Sequence, residues 1–195
     1  MKVSAAISAV VVASGVVASG FQALPAADFN SMVVVPVKNG PNQIDLDGDG
    51  RMDLVFVAWR DNANAHGFDH ITFNRSGPGT PAWNLVPFFG KDDTSIFTSF
   101  ETYQGADCVL RDLRILRPRN KPASPVVVVV AERPFGETFI SKEPVNFTVY
   151  RSALNADGIP GSPPFYFRAA EMITSKASYC DVGEAFRSEL GIARQ

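Results

Sequence analysis

Nine residues constrain this chain more than any others: DLDGDGRMD, from Asp45 to Asp53. Asp45, Asp47, Asp49 and Asp53 fall at positions 1, 3, 5 and 9 of a loop whose sixth position is Gly50, the spacing that wraps oxygen ligands around a calcium ion. Like charges about 4 Å apart repel by ~1 kcal/mol in water and by ~4 kcal/mol at the effective dielectric near a protein surface, so gathering four carboxylates without a cation is costly. Hard oxygen donors, with the backbone carbonyl of Arg51 as the fifth, favour calcium over zinc. Gly48 and Gly50 allow the tight turn. The plain alternative is a solvated Asp/Gly turn without an ion.

The residues after the loop narrow its type. An EF-hand requires a bidentate Glu at position 12 and a following helix, whereas position 12 here is Phe56, inside the apolar run LVFVAW from Leu54 to Trp59. The loop instead resembles the FG-GAP or VCBS type of calcium turn, in which D-x-D-x-D-G-x-x-D-L joins two strands. Such loops usually recur in propeller blades, yet this chain carries one full copy. Asn155-Ala156-Asp157-Gly158 lacks an acid at position 9 and reads as a turn. The expected architecture is therefore mainly β: a single β-sandwich or small barrel-like domain with one calcium-binding strand-loop-strand turn.

The N-terminus reads as targeting. Lys2 supplies a positive n-region and AAISAVVVASGVVASG an apolar, small-residue h-region, so residues 1–26 are expected to be a cleavable secretory signal peptide. Ala18-Ser19-Gly20 offers a small-x-small site, with Ala26 or Ala27 as an alternative, which places cleavage between about residues 20 and 27. No Cys lies nearby, which argues against a lipoprotein, and no later stretch resembles a membrane span. Residues 27–195 suit one domain. A net charge of −2 and 19% charged residues give no reason to propose nucleic acid as a partner. In an oxidising compartment, periplasmic or external, the two cysteines Cys108 and Cys180 read as one disulfide, two buried thiols being the alternative.

Beyond the loop, β-branched and aromatic runs punctuated by Pro and Gly predict strands over residues 32–37, 54–60, 68–74, 83–89, 95–100, 108–116, 125–131, 145–151 and 165–170. The five valines from Val126 to Val130 do not alternate, which predicts a strand covered on both faces. One short C-terminal helix is predicted, with Asp181 and Glu184 as a capping-box-like start, Val182, Phe186 and Leu190 on one face, and Gly191 as its stop.

Catalytic signatures are missing: no G-x-S-x-G elbow, S-x-x-K or Cys-His arrangement occurs, so a non-enzymatic role is expected. His66 and His70 have zinc-like spacing, but on a strand rising ~3.3 Å per residue they would lie ~13 Å apart. Asp107, Asp112 and Glu132 have no distinguishing context. Arg111, Arg114, Arg117, Arg119 and Lys121 form a basic run that reads either as an anion site or, preferably, as a solvated strand and turn. Trp59, Trp83, Phe88 and Phe89 are candidates to line a small-molecule pocket.

Several segments together, PVKNGPNQIDLDGDGRMDLVF (36–56), WRDNANAHGFDHITF (59–73), WNLVPFF (83–89), GADCVLRDLRIL (105–116), AERPFGETF (131–139) and SYCDVGEAFRSELG (178–191), resemble the CarG-like carbapenem intrinsic-resistance proteins. That resemblance implies a single-domain periplasmic protein, monomer or homodimer, that gives tolerance of carbapenems by binding or sequestering a carbapenem or other small molecule. The loop alone supports a different class, a calcium-stabilised adhesion or structural module of the cell envelope.

Overall fold

The structure, a computed structural model, describes residues 27–64, 66–77, 82–92, 94–103 and 108–192. The expected signal peptide and Asp107 lie outside them. In chain order the elements are β1 (Met32–Val34), β2 (Gly40–Ile44), β3 (Asp53–Arg60), β4 (Phe68–Ser76), β5 (Trp83–Leu85), β6 (Phe88–Phe89), β7 (Ile96–Phe97) and β8 (Ser99–Glu101). They continue as β9 (Arg111–Pro118), β10 (Val127–Glu132), β11 (Glu143–Leu154), β12 (Phe165–Tyr179) and α1 (Val182–Leu190).

Two sheets result, and neither closes into a barrel. One has the order β1-β9-β10-β11-β12-β6-β7; the other runs β2-β3-β4-β5, with β8 also paired to β4. Val55, Val57, Ile71, Phe73 and Phe100 of the smaller sheet meet Leu113, Ile115, Val128, Val130, Phe88 and Phe167 of the larger one in a common core, which makes the fold a sandwich. The smaller sheet needs only alternate apolar residues, and β3 shows them: Val55 and Val57 are buried while Phe56 is exposed.

The valine run behaves as its lack of alternation predicts. Val126, Val128 and Val130 belong to the core between the sheets, whereas Val127 and Val129 point the other way, into a second core under α1 with Phe147, Val149, Val182 and Phe186. That helix begins where the sequence indicates. Asp181 accepts the backbone N–H groups of Gly183 and Glu184 at 2.7 and 3.2 Å, and Gly191 ends it in the left-handed conformation at φ 66°.

Several strands differ from expectation: β1 stops at Val34 instead of residue 37, and β2 forms where no strand was predicted. Residues 83–89 break at Val86-Pro87, so that β5 joins the smaller sheet and β6 the larger, Pro87 having no N–H to continue a ladder. Residues 95–100 divide in the same way into β7 and β8. In the other direction, β12 extends to Tyr179 through the polar stretch TSKAS: β11 pairs with Thr174 and, past a register shift, with Ser178 and Tyr179, and the N–H groups of Lys176 and Ala177 between them donate to Glu189.

Candidate functional site

The acidic loop is the connection of an antiparallel hairpin, since Ile44 of β2 pairs with Asp53 of β3. Its carboxylates organise their own backbone. Asp45 accepts the N–H groups of Gly48 and Gly50 at 2.7 and 2.9 Å, and Asp49 accepts that of Arg51 at 2.8 Å. Gly48 and Gly50 have φ of 79° and 85°, and a Cβ on Gly48 would lie 2.1 Å from the carbonyl oxygen of Ala123, so only glycine fits there. One oxygen each from Asp45, Asp47 and Asp49 lies within 4.8 Å of the others. That oxygen-only trio is a donor set suited to calcium.

Asp53, the position-9 residue, stands apart from the trio. It is almost completely buried and accepts the N–H of Leu46 at 3.2 Å. Burial pushes its carboxyl up to about 6, against the lowering effects of the Leu46 N–H and of Arg75, while Asp47 and Asp49 push in the same direction as burial. Position 9 of such loops often reaches its ion through water.

Arg75 is the residue that sequence reasoning missed. Its Nη1 lies 2.6 Å from Asp47 Oδ2, its Nη2 2.7 Å from Asp49 Oδ2 and its Nε 3.6 Å from Asp53 Oδ1, and its guanidinium covers the Phe165 ring at 4.6 Å. Nothing within the loop announces it. The register of β3 on β4, Leu54 opposite Asn74, carries Arg75 alongside the loop's end, 22 residues away in sequence from Asp53. A guanidinium therefore neutralises part of the cluster, and it holds the outer oxygens of two residues that an ion would also need.

The basic run is a second correction. Expected as a solvated strand and turn, it is in part buried: Arg114 is 3% exposed, pairs with Asp112 at 2.6 Å and covers the Phe186 ring at 4.8 Å. Arg117 donates to the carbonyl oxygens of Asp45 and Pro122, and the N–H of Val126 donates to Leu46 O at 3.0 Å. The acidic loop is thus tied to the larger sheet as well as to its own.

Cys108 and Cys180 form a disulfide with Cα atoms 5.5 Å apart, joining the entrance of β9 to the N-terminus of α1. The two histidines have separate neighbours, His66 against Phe139 and His70 Nδ1 at 3.7 Å from Glu101. The four aromatic candidates do not converge on one pocket. Phe88 is core, Phe89 meets Tyr166 edge-on, Trp59 covers Gly67 and Trp83 is exposed.

Of the several clefts on the described surface, two lie at opposite ends of the sandwich. The larger, about 520 Å³, is next to the acidic loop and is lined by Arg51, Arg75, Leu85, Leu154, Pro164 and Phe165. The other, about 400 Å³, is lined by Phe97, Arg111, Glu132, Arg133, Tyr150 and Met172 among others. Among the described residues no helix is long and apolar enough to cross a membrane.

With known proteins the comparison is specific. The model of a family described as carbapenem resistance protein CarG-like matches residues 37–188. Among solved structures, one titled "Crystal structure of CarG" shares the fold, with a TM-score of 0.65 and 24% identity over 83% of this chain and 99% of its own. No curated protein matches significantly.

Proposed function

The chain belongs to the CarG-like family, and from that premise we propose that it is an exported, non-enzymatic protein that gives a cell tolerance of carbapenem β-lactams by binding or sequestering the antibiotic. The family match over residues 37–188 is the observation that carries this reading. The disulfide supports export, because such a bond persists in oxidising compartments. Carbapenem susceptibility of cells with and without the protein tests it: expression should raise the inhibitory concentration, and an unchanged value refutes the role. Purified protein should leave the carbapenem ring intact. Ring opening above the buffer rate would replace sequestration by hydrolysis.

A structural calcium ion belongs to the same proposal. Asp45, Asp47 and Asp49 would hold it through carboxylate oxygens, with Asp53 and the carbonyl of Arg51 completing the set, and it would supply charge neutralisation rather than a reactive centre. Its fit is conditional on Arg75, which holds two of the same carboxylates. A second reading, a calcium-stabilised envelope adhesion module, rests on the loop's FG-GAP-like pattern. Calcium-dependent cell or glycan binding would favour it.

A further inference from the structure

The cleft away from the acidic loop contains polar groups that the fold leaves unsatisfied. It opens where the core between the sheets ends. There the pairings of β9, β10 and β11 set Arg111 opposite Glu132 and Glu132 opposite Asn146, so all three project from one face in a row. Arg111 is four-fifths buried, yet its guanidinium makes no hydrogen bond with the described residues. Its Nε is buried without a partner, its closest carboxylate oxygen is on Glu132 at 3.7 Å, and it covers the Phe100 ring at 5.8 Å. Buried guanidinium donors left unbonded have lost water without compensation; Arg114 and Arg117 also leave Nε unbonded, but both hydrogen-bond through their other guanidinium nitrogens, as Arg111 does not.

Tyr150 forms part of the floor. It is 5% exposed and is held edge-on by Phe88 and Phe100 at 5.2 and 6.1 Å, while its hydroxyl bonds to none of the described residues. In the wall, Arg133 is 3% exposed and donates to the carbonyl oxygens of Cys180, Pro134, Phe135 and Phe139, with no carboxylate in salt-bridge range among the described residues. Arg111 thus has one carboxylate near it, that of Glu132, which is 57% exposed at the rim, while the carboxylate whose charge acts on Arg133 is that of Glu143. Val130, Phe97 and Met172 add apolar surface.

From this arrangement we infer that the cleft binds a small monoanionic carboxylate with a compact apolar body, held by Arg111 and the Tyr150 hydroxyl, and that in the tolerance role this ligand is the carbapenem itself. The last step rests on the binding reading given above. A carboxylate accepts from the guanidinium fork and from a phenol O–H together, supplying the acceptors both groups lack. Glu132 disfavours a dianion such as phosphate, since the second negative charge would sit beside it. The volume suits a small molecule. The larger cleft is less suited, because its Arg75 is already held by three carboxylates.

Isothermal titration of the full chain with a carbapenem, with its neutral methyl ester and with phenylacetate tests this. The variants are Arg111→Gln, Tyr150→Phe and, as a control in the other cleft, Asn84→Ala, with melting curves to confirm folding. Wild type should bind both acids and discriminate against the ester; Arg111→Gln should weaken binding by about tenfold or more. Tyr150→Phe, which keeps the ring and its packing, should weaken it less, and Asn84→Ala should not change it. Carbapenem binding that is equally tight in both cleft variants overturns the site and leaves sequestration standing. Binding of phenylacetate with these variant effects, but not of the carbapenem, keeps the site and removes sequestration. Wild type that binds neither acid overturns the cleft proposal.

Discussion

Replacing Arg75 with Met tests whether the acidic loop depends on a cation. Met keeps an apolar stem against Phe165 and removes the charge that lies 2.6 Å from Asp47, 2.7 Å from Asp49 and 3.6 Å from Asp53. Removing one partner of a buried ion pair costs about 3–5 kcal/mol. Asp47 and Asp53 approach that limit at 12% and 3% exposure, but the Asp49 contact, at 35%, belongs with screened surface pairs worth ~0.5 kcal/mol. A net loss of about 3 kcal/mol is therefore expected in chelator, which for a chain of this size lowers the melting temperature by about 6–12 °C. Calcium should narrow the gap, because the ion supplies the charge that the variant lacks, while at a hundred times its dissociation constant it stabilises wild type by ~2.7 kcal/mol. Scanning calorimetry of both proteins with chelator and with calcium gives the four values needed. If the variant melts within about 2 °C of wild type in chelator, the carboxylates do not need a cation and the electrostatic argument is wrong. If the gap is identical with and without calcium, the ion and the guanidinium do not share carboxylates.

Other perturbations separate the remaining parts. Asp49→Ala should abolish any rise in melting temperature on adding calcium, while Asp157→Ala, in the turn between β11 and β12, should leave it intact; calcium dependence surviving Asp49→Ala would put the ion elsewhere. Reduction of the Cys108–Cys180 bridge, which spans 72 residues, should cost about 4 kcal/mol in the chain-entropy model, and an unchanged denaturation midpoint after confirmed reduction would contradict that. Glu189 accepts from the Tyr179 hydroxyl and from the N–H groups of Lys176 and Ala177, and the Tyr179 bond most of all holds its carboxyl below the ordinary 4.5. A depressed carboxylate stabilises the fold above its unfolded value, and this contribution is lost as pH falls from 4.5 through the lower folded value. Glu189→Gln should therefore flatten the acid side of the stability profile measured by urea unfolding between about pH 3 and 6; an unaltered profile rejects the linkage.

Local patterns indicated the class of fold, and long-range register supplied what they lacked. The Val126–Val130 run named a doubly covered strand because burial on both faces leaves no polar alternation to select, and Asp181 with Gly191 marked both ends of α1 because caps are read over three or four residues. The division of residues 83–89 between two sheets was only hinted at by Pro87. The continuation of β12 past Thr174 was hidden, since pairing of Ser178 and Tyr179 with β11 and the Glu189 carboxylate, not apolar composition, hold it. The clustering of Asp45, Asp47 and Asp49 was legible for the same local reason as the caps. Arg75 and Arg117 were not, because each reaches the loop from another strand, and the same limit applies to Arg111 and Tyr150, which meet only after β9, β10 and β11 align.

The positions of the two features make the proposed structural and binding roles separable. The loop is fastened at the Val126 end of β10, through Val126 N–H to Leu46, whereas the unsatisfied Arg111 and Tyr150 cleft is lined by Val130 and Glu132 at the other end. The six residue steps of strand from 126 to 132 span about 20 Å, roughly two and a half Debye lengths at physiological ionic strength, so the charge of an ion at the loop is largely screened from the cleft. Any influence of calcium on ligand binding must then pass through the fold, as a change in the fraction of molecules that are native. Well below the melting temperature that fraction is close to one with or without the ion, so ligand affinity measured there should not change on chelation, even though thermal stability does. A calcium-dependent affinity at a temperature where both forms are fully folded would require a physical linkage along β10 that this packing does not provide.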